Sequence, residues 1–78
     1  KNPTAAESVL RDALKRKPGD ARVLAELGMA LAAGGKSAEA VTAFDEAIKA
    51  DPRQASAYNG KGVVLDTEGK HSQAQAAY

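Results

Sequence analysis

A shift of 34 residues brings the chain into register with itself, and this repeat constrains the fold more than any other feature. At that offset Ala21 meets Ala55, Gly28 meets Gly62, Leu31 meets Leu65, Gly35-Lys36 meets Gly69-Lys70, Ala40 meets Ala74 and Phe44 meets Tyr78. One period earlier Ala6 aligns with Ala40, Leu10 with Phe44, Ala13 with Ala47, Leu14 with Ile48, Lys15 with Lys49 and Pro18 with Pro52. A unit this short cannot bury an apolar face alone, so its copies must stack on one another. The 78 residues hold a little over two of them.

Within each copy the apolar spacing is helical. Leu24, Leu27 and Leu31, then Ala40, Val41, Phe44, Ala47 and Ile48, fall at steps of three and four, which line one face of a helix and suit no strand. Gly34-Gly35 interrupts the run, where glycine supplies the positive φ that ends a helix and reverses the chain; Gly69 is expected to do the same one period later. Asp51-Pro52 reads as an N-cap followed by a first-turn proline, and Pro18-Gly19-Asp20 marks the matching boundary. The pattern predicts helices over residues 4–16, 21–33, 37–50, 54–67 and 71–78, arranged as helical hairpins. Gly28, Gly62, Ala40, Ala47 and Ala74 lack bulk, as required where two helices of a hairpin approach closely.

Leu24, Leu27, Gly28, Leu31, Gly35, Ala40, Phe44, Ala47 and Pro52 resemble, in order and spacing, the tetratricopeptide repeat (TPR) pattern. The resemblance covers the whole chain: residues 1–20 as the second helix of a partial repeat, 21–54 as a complete repeat, and 55–78 as a repeat cut inside its second helix. Leu24 stands where the family often has Trp, and Lys61 where it usually has Leu. The resemblance implies an all-α fold, an α-solenoid of antiparallel hairpins forming a TPR superhelix, acting as a module for protein–protein interaction without enzymatic activity. A narrower likeness links Tyr58-Asn59-Gly60-Lys61-Gly62-Val63-Val64-Leu65-Asp66, with Gly69-Lys70-His71 and Gln73 to Tyr78, to TPR proteins of the bacterial tight-adherence (Tad/Flp) pilus-assembly machinery. It implies a scaffold in pilus or secretion-system assembly, in the bacterial cytoplasm or periplasm.

In this family the first helix of each repeat lines a concave groove. The matching residues are Arg22, Ala25, Met29, Ala32 and Ala33, then Ser56, Asn59, Val63, Asp66 and Thr67. Their small, mostly uncharged side chains suit an extended segment or helix of a partner protein, with Arg22, Asn59 and Asp66 offering polar contacts that fix register. Met29 and Val63 could instead pack on a neighbouring helix. The family's peptide-carboxylate clamp needs Lys and Asn on this wall, and Ala25 and Met29 occupy those positions. Because a solenoid buries its core only between neighbours, open ends could also join copies into a homo-oligomer, with Ala74 and Tyr78 on an exposed or partner-covered face.

Other chemistry finds little footing. Eleven Lys and Arg against ten Asp and Glu leave a net charge of +1, too small a field to attract nucleic acid or an anionic membrane. The cluster Arg11, Lys15, Arg16 and Lys17 sits in the last turns of a helix, where cations offset the helix dipole, and no aromatic residue lies nearby to stack bases. With no cysteine there is neither a disulfide nor a thiolate metal site, and His71 with Asp66 and Glu68 falls short of the convergent ligand set a metal needs. Gly34-Gly35-Lys36-Ser37 lacks the first glycine and the strand of a phosphate loop, so no cofactor is expected. The four serines have no base in a shared local motif, so no catalytic residue is assigned. No apolar run approaches the ~20 residues of a membrane span. A chain starting at Lys1 without an initiator Met reads as a processed product or a fragment.

Overall fold

The computed structural model describes residues 3–77, with side chains for residues 5–69. Four helices run in order, α1 (Pro3–Arg16), α2 (Ala21–Ala33), α3 (Ser37–Ala50) and α4 (Ala55–Ala77), and no strand occurs among the described residues. Each helix packs on the next, and α2 also touches α4. The all-α repeat fold expected from the 34-residue pattern is therefore present.

Local chemistry sets the ends of α2. Asp20 is its N-cap: Oδ1 accepts from the backbone N–H of Arg22 at 3.1 Å and of Val23 at 3.4 Å, satisfying two donors that have no partner inside the helix. At the other end Gly35 adopts φ +81°, the left-handed region that disfavours a Cβ. This lets the Lys36 N–H reach the Leu31 carbonyl at 2.8 Å and the Gly35 N–H reach that of Ala32 at 3.1 Å. The crossed pair of bonds is a Schellman motif, and it turns the chain into α3 within three residues.

Two boundaries differ from expectation. Asp51 is the C-cap of α3 rather than an N-cap of α4; its Oδ1 accepts from the Arg53 N–H at 3.0 Å, folding 51–54 into a turn before α4 starts at Ala55. More consequentially, Gly69 ends nothing. α4 passes through it as one helix of 23 residues, so the expected break and separate helix over 71–78 do not form. Among the described residues positive φ occurs only at Gly19 and Gly35. The reason lies one residue upstream: Glu68, a good helix former, stands where the first turn has Gly34, and a single glycine costs a continuous helix only about 1 kcal/mol.

The core is built around Phe44. Its fully buried ring lies between two glycines, Gly28 on α2 and Gly60 on α4. A Cβ at Gly28 would sit 2.6 Å from the Phe44 Cε1, and one at Gly60 would press against the same ring at least as hard. Both glycines are thus holes for one aromatic knob, and Phe44 joins three helices. Leu24, Ala25, Leu27, Leu31, Ala40, Ala43, Ala47, Ala57 and Val64 complete the cluster, with Leu10, Leu14, Val41 and Ile48 packed at its edge. Gly62 was expected to be such a hole and is not: no atom lies within 4 Å of where its Cβ would stand, because straight α4 brings no helix back across it. Ala74, paired with it in that expectation, lies outside the residues whose side chains are described.

Ion pairs tie the helices on the surface. Lys61, which replaces the family's usual Leu, donates from Nζ to the Asp45 Oδ1 at 2.6 Å and so links α4 to α3. Lys36, in the turn after α2, reaches the Glu7 Oε2 on α1 at 3.2 Å, and Arg11 bonds Glu7 from one turn further along α1 at 3.1 Å. The Lys36 hydrogen bond holds the Glu7 carboxyl below its ordinary pKa, helped by the Arg11 bond and both positive charges against the opposing effect of burial.

Candidate peptide-binding groove

Because α2 and α4 are both clamped onto Phe44, they lie side by side, and their remaining faces form the walls of a groove. α2 contributes Met29 and Ala32; α4 contributes Ser56, Asn59, Gly60, Val63 and Val64. The concavity measures about 400 Å³. Its rim carries two large apolar side chains, Met29 and Val63, that are exposed rather than covered by a neighbouring helix. Among the described residues no helix lies over either side chain fully, and Met29 keeps nearly half of its surface open. Ser56 is fixed by the Gln54 Nε2, 2.8 Å from its hydroxyl oxygen, so the turn before α4 orders that end of the wall.

The structure brings five of the ten expected residues together here: Met29, Ala32, Ser56, Asn59 and Val63. Ala25 is buried in the core cluster and presents no surface to the groove. Arg22 lies exposed at the start of α2, 4.0 Å from Glu26, while Ala33 and Asp66 are exposed outside this concavity. Thr67 donates its hydroxyl to the Val63 carbonyl at 2.9 Å and lines a different hollow, with residues 35–39 and Glu68. Gly60 and Val64 were missed as groove residues. The repeat alignment pairs Gly60 with Glu26, so periodicity gave no reason to single it out; the signal was the size of Phe44, which needs a hole on the following helix as well as on the preceding one.

The opposite side, between α1 and α3, is different in character. There Leu27 and Leu31 form a floor flanked by Arg11, Glu39, Thr42 and Glu46, so charged side chains rim it. Among the described residues no three His, Cys, Asp or Glu side chains gather where they could hold a metal, and no helix is long and apolar enough to cross a membrane. His71 lies outside the residues whose side chains are described.

Residues 1–54 and 27–78 each match the tetratricopeptide repeat family. The chain belongs to that family. TPR repeats generally mediate protein–protein interaction and are typically not catalytic. The chain is also 39% identical over 74 residues to y4yS of Sinorhizobium fredii (strain NBRC 101917 / NGR234), an uncharacterized protein. The match takes in 95% of this chain and 41% of that relative, so this TPR unit corresponds to about two fifths of the relative's length. No solved structure matches the chain.

Proposed function

We propose that this TPR unit is a protein-interaction module that holds an extended segment or a helix of a partner protein in the groove between α2 and α4. The observation that supports it is the pairing of exposed Met29 and Val63 across a concavity floored by Gly60 and flanked by Asn59 and Ser56. Apolar anchors at the rim with a few polar groups to fix register are what a peptide site requires. Met29 is adaptable in shape and suits side chains of varied form. Contact on this scale falls short of the ~800 Å² per partner of a standard interface, so affinity is about micromolar or weaker. The likeness to tight-adherence pilus proteins extends the reading to a scaffold that gathers components of an envelope-linked assembly.

Selection of a displayed random peptide library on the protein tests the groove. Selected peptides are expected to bind at least ~10-fold more weakly to Met29→Glu and Val63→Glu, with Arg11→Glu and Lys15→Glu unchanged. Binding that survives both groove variants would place the site elsewhere. A steep fall in binding of a single-stranded oligonucleotide with salt, lost in the α1 variants, would favour a nucleic-acid surface instead.

A further inference from the structure

Two open faces of the molecule repeat two faces that are packed together inside it. On α4, Tyr58, Gly62 and Leu65 take the places of Leu24, Gly28 and Leu31 at the 34-residue offset; on α1, Ala6, Val9, Leu10 and Ala13 take those of Ala40, Ala43, Phe44 and Ala47. Within the chain the two sets meet as α2 on α3 and bury one another in a single cluster. Leu24, Leu31 and Ala43 are accordingly 6%, 2% and 4% exposed, whereas Tyr58, Leu65 and Val9 are 49%, 48% and 68% exposed. Ala6 is exposed as well, and the space over Gly62 is open. α1 and α4 do not touch, so neither face covers the other within one molecule. The substituted side chains differ in compensating directions: Leu10 is smaller than Phe44, while Tyr58 is larger than Leu24 and Val9 larger than Ala43. Charge matches too. Lys61 takes the place of Leu27, which lies among Arg11 of α1 and Ala43 and Glu46 of α3. The counterpart of Arg11 is Asp45, which accepts from Lys61 at 2.6 Å; the counterpart of Glu46 is Asp12, an exposed carboxylate on α1.

We propose that α1 of one copy docks on the Tyr58–Gly62–Leu65 face of α4 of another, reproducing between molecules the packing of α3 on α2. The occupant is a second copy because the chain carries both faces and its own α2–α3 contact is their template. Leu10 then lies over Gly62 as Phe44 lies over Gly28, and Asp12 approaches Lys61 from the side opposite Asp45. The contact is heterologous: each copy gives α1 and receives on α4, so a free face remains at both ends and addition does not stop at two. A single helix-on-helix contact falls below the ~800 Å² per partner of a standard interface, so the assembly is weak. Asn59 and Val63 lie about a third of a turn round α4 from the docking stripe, which leaves the groove open. The incoming α2 comes to lie beside α4 as α4 lies beside α2, aligning the grooves of successive copies. A partner with repeated segments is then held at several points, a consequence that, unlike the docking, rests on the groove reading.

Sedimentation equilibrium of the full chain, from about 1 to about 500 µM, is the first test. The weight-average mass is expected to rise with concentration and to pass that of a dimer. Val9→Glu disables the giving face and Leu65→Glu the receiving one, both at exposed positions, so the helical circular dichroism should be unchanged. Each variant alone is expected to be a monomer, while an equimolar mixture forms a one-to-one heterodimer and nothing larger. The milder pair Val9→Ser and Leu65→Ser should give the same pattern without added charge. In the mixture, Asp12→Lys on the Leu65→Glu chain is expected to weaken the heterodimer by roughly 3-fold, and Lys61→Asp on the Val9→Glu chain to restore it. A monomer at every concentration, a mass that stops at the dimer, homodimers of either variant, or a mixture that stays monomeric would each overturn the proposal.

Discussion

At Gly35 the chain reverses, and at Gly69, one period later, it continues straight. Both sites follow a helix with the same apolar stripe and both carry Gly-Lys, so the contrast isolates what a reversal needs. The first has two adjacent glycines, a left-handed residue at Gly35 and two backbone bonds that tie off the carbonyls of Leu31 and Ala32. It also leads into a helix whose Phe44 fills holes on two neighbours. The second offers one glycine, preceded by Glu68, and the helix runs on. One stripe is consequently buried and the other exposed, although the sequence pattern is nearly the same.

Removing the aromatic knob should erase the contrast. Phe44→Ala takes a fully buried ring from between three helices and is expected to destabilise the fold by ~3 to 5 kcal/mol, near the total stability of a domain of this length, as read by urea unfolding. Filling a hole is the next strongest perturbation. Gly28→Leu should cost ~1 to 3 kcal/mol through overpacking against the enclosed ring, despite leucine's better helix propensity. An unchanged melting temperature would show that the close approach at Gly28 is not required. The equivalent glycine should respond with the opposite sign: Gly62→Ala, in protein dilute enough to be monomeric, meets no atom and should stabilise α4 by roughly 0.5 to 1 kcal/mol.

The smallest expected effect concerns the link from α1 to the reversing turn. The Glu7 carboxyl is stabilised in its charged form by Lys36 and Arg11, so its folded pKa lies below the ordinary 4.5. Its contribution is therefore complete above that pH and disappears as the pH falls through the lowered folded value. Glu7→Gln should melt slightly lower than the parent at pH 7, and the difference should close on acidification. A gap that persists in strong acid would point to packing rather than charge.

Much of this architecture was legible in the sequence where local chemistry decides it. α2 and α3 span the residues that apolar periodicity assigned, because the Asp20 carboxylate caps the start of α2 and the Gly34-Gly35 turn ties off its end, both by local hydrogen bonds. The straightness of α4 was not legible. Repeat alignment equates Gly69 with Gly35, but a glycine permits a reversal without compelling it, and the deciding difference is Glu68 against Gly34. The groove was legible in its middle and not at its edges. Met29, Asn59 and Val63 follow from which helix faces inward, whereas Ala25 is drawn into the core by the close packing around Phe44. Gly60 has a role set by a side chain 16 residues away, which no periodic pattern encodes.

The proposed groove is the face shared by α2 and α4, which one phenylalanine holds together. Its most direct test is a backbone amide NMR titration of the labelled protein with a peptide obtained by library selection. Shift changes concentrated at Met29, Ala32, Asn59, Gly60 and Val63, with α1 and the outer surface of α3 unmoved, are the predicted result. Changes centred instead on Arg11, Thr42 and Glu46, with the groove residues silent, would contradict it.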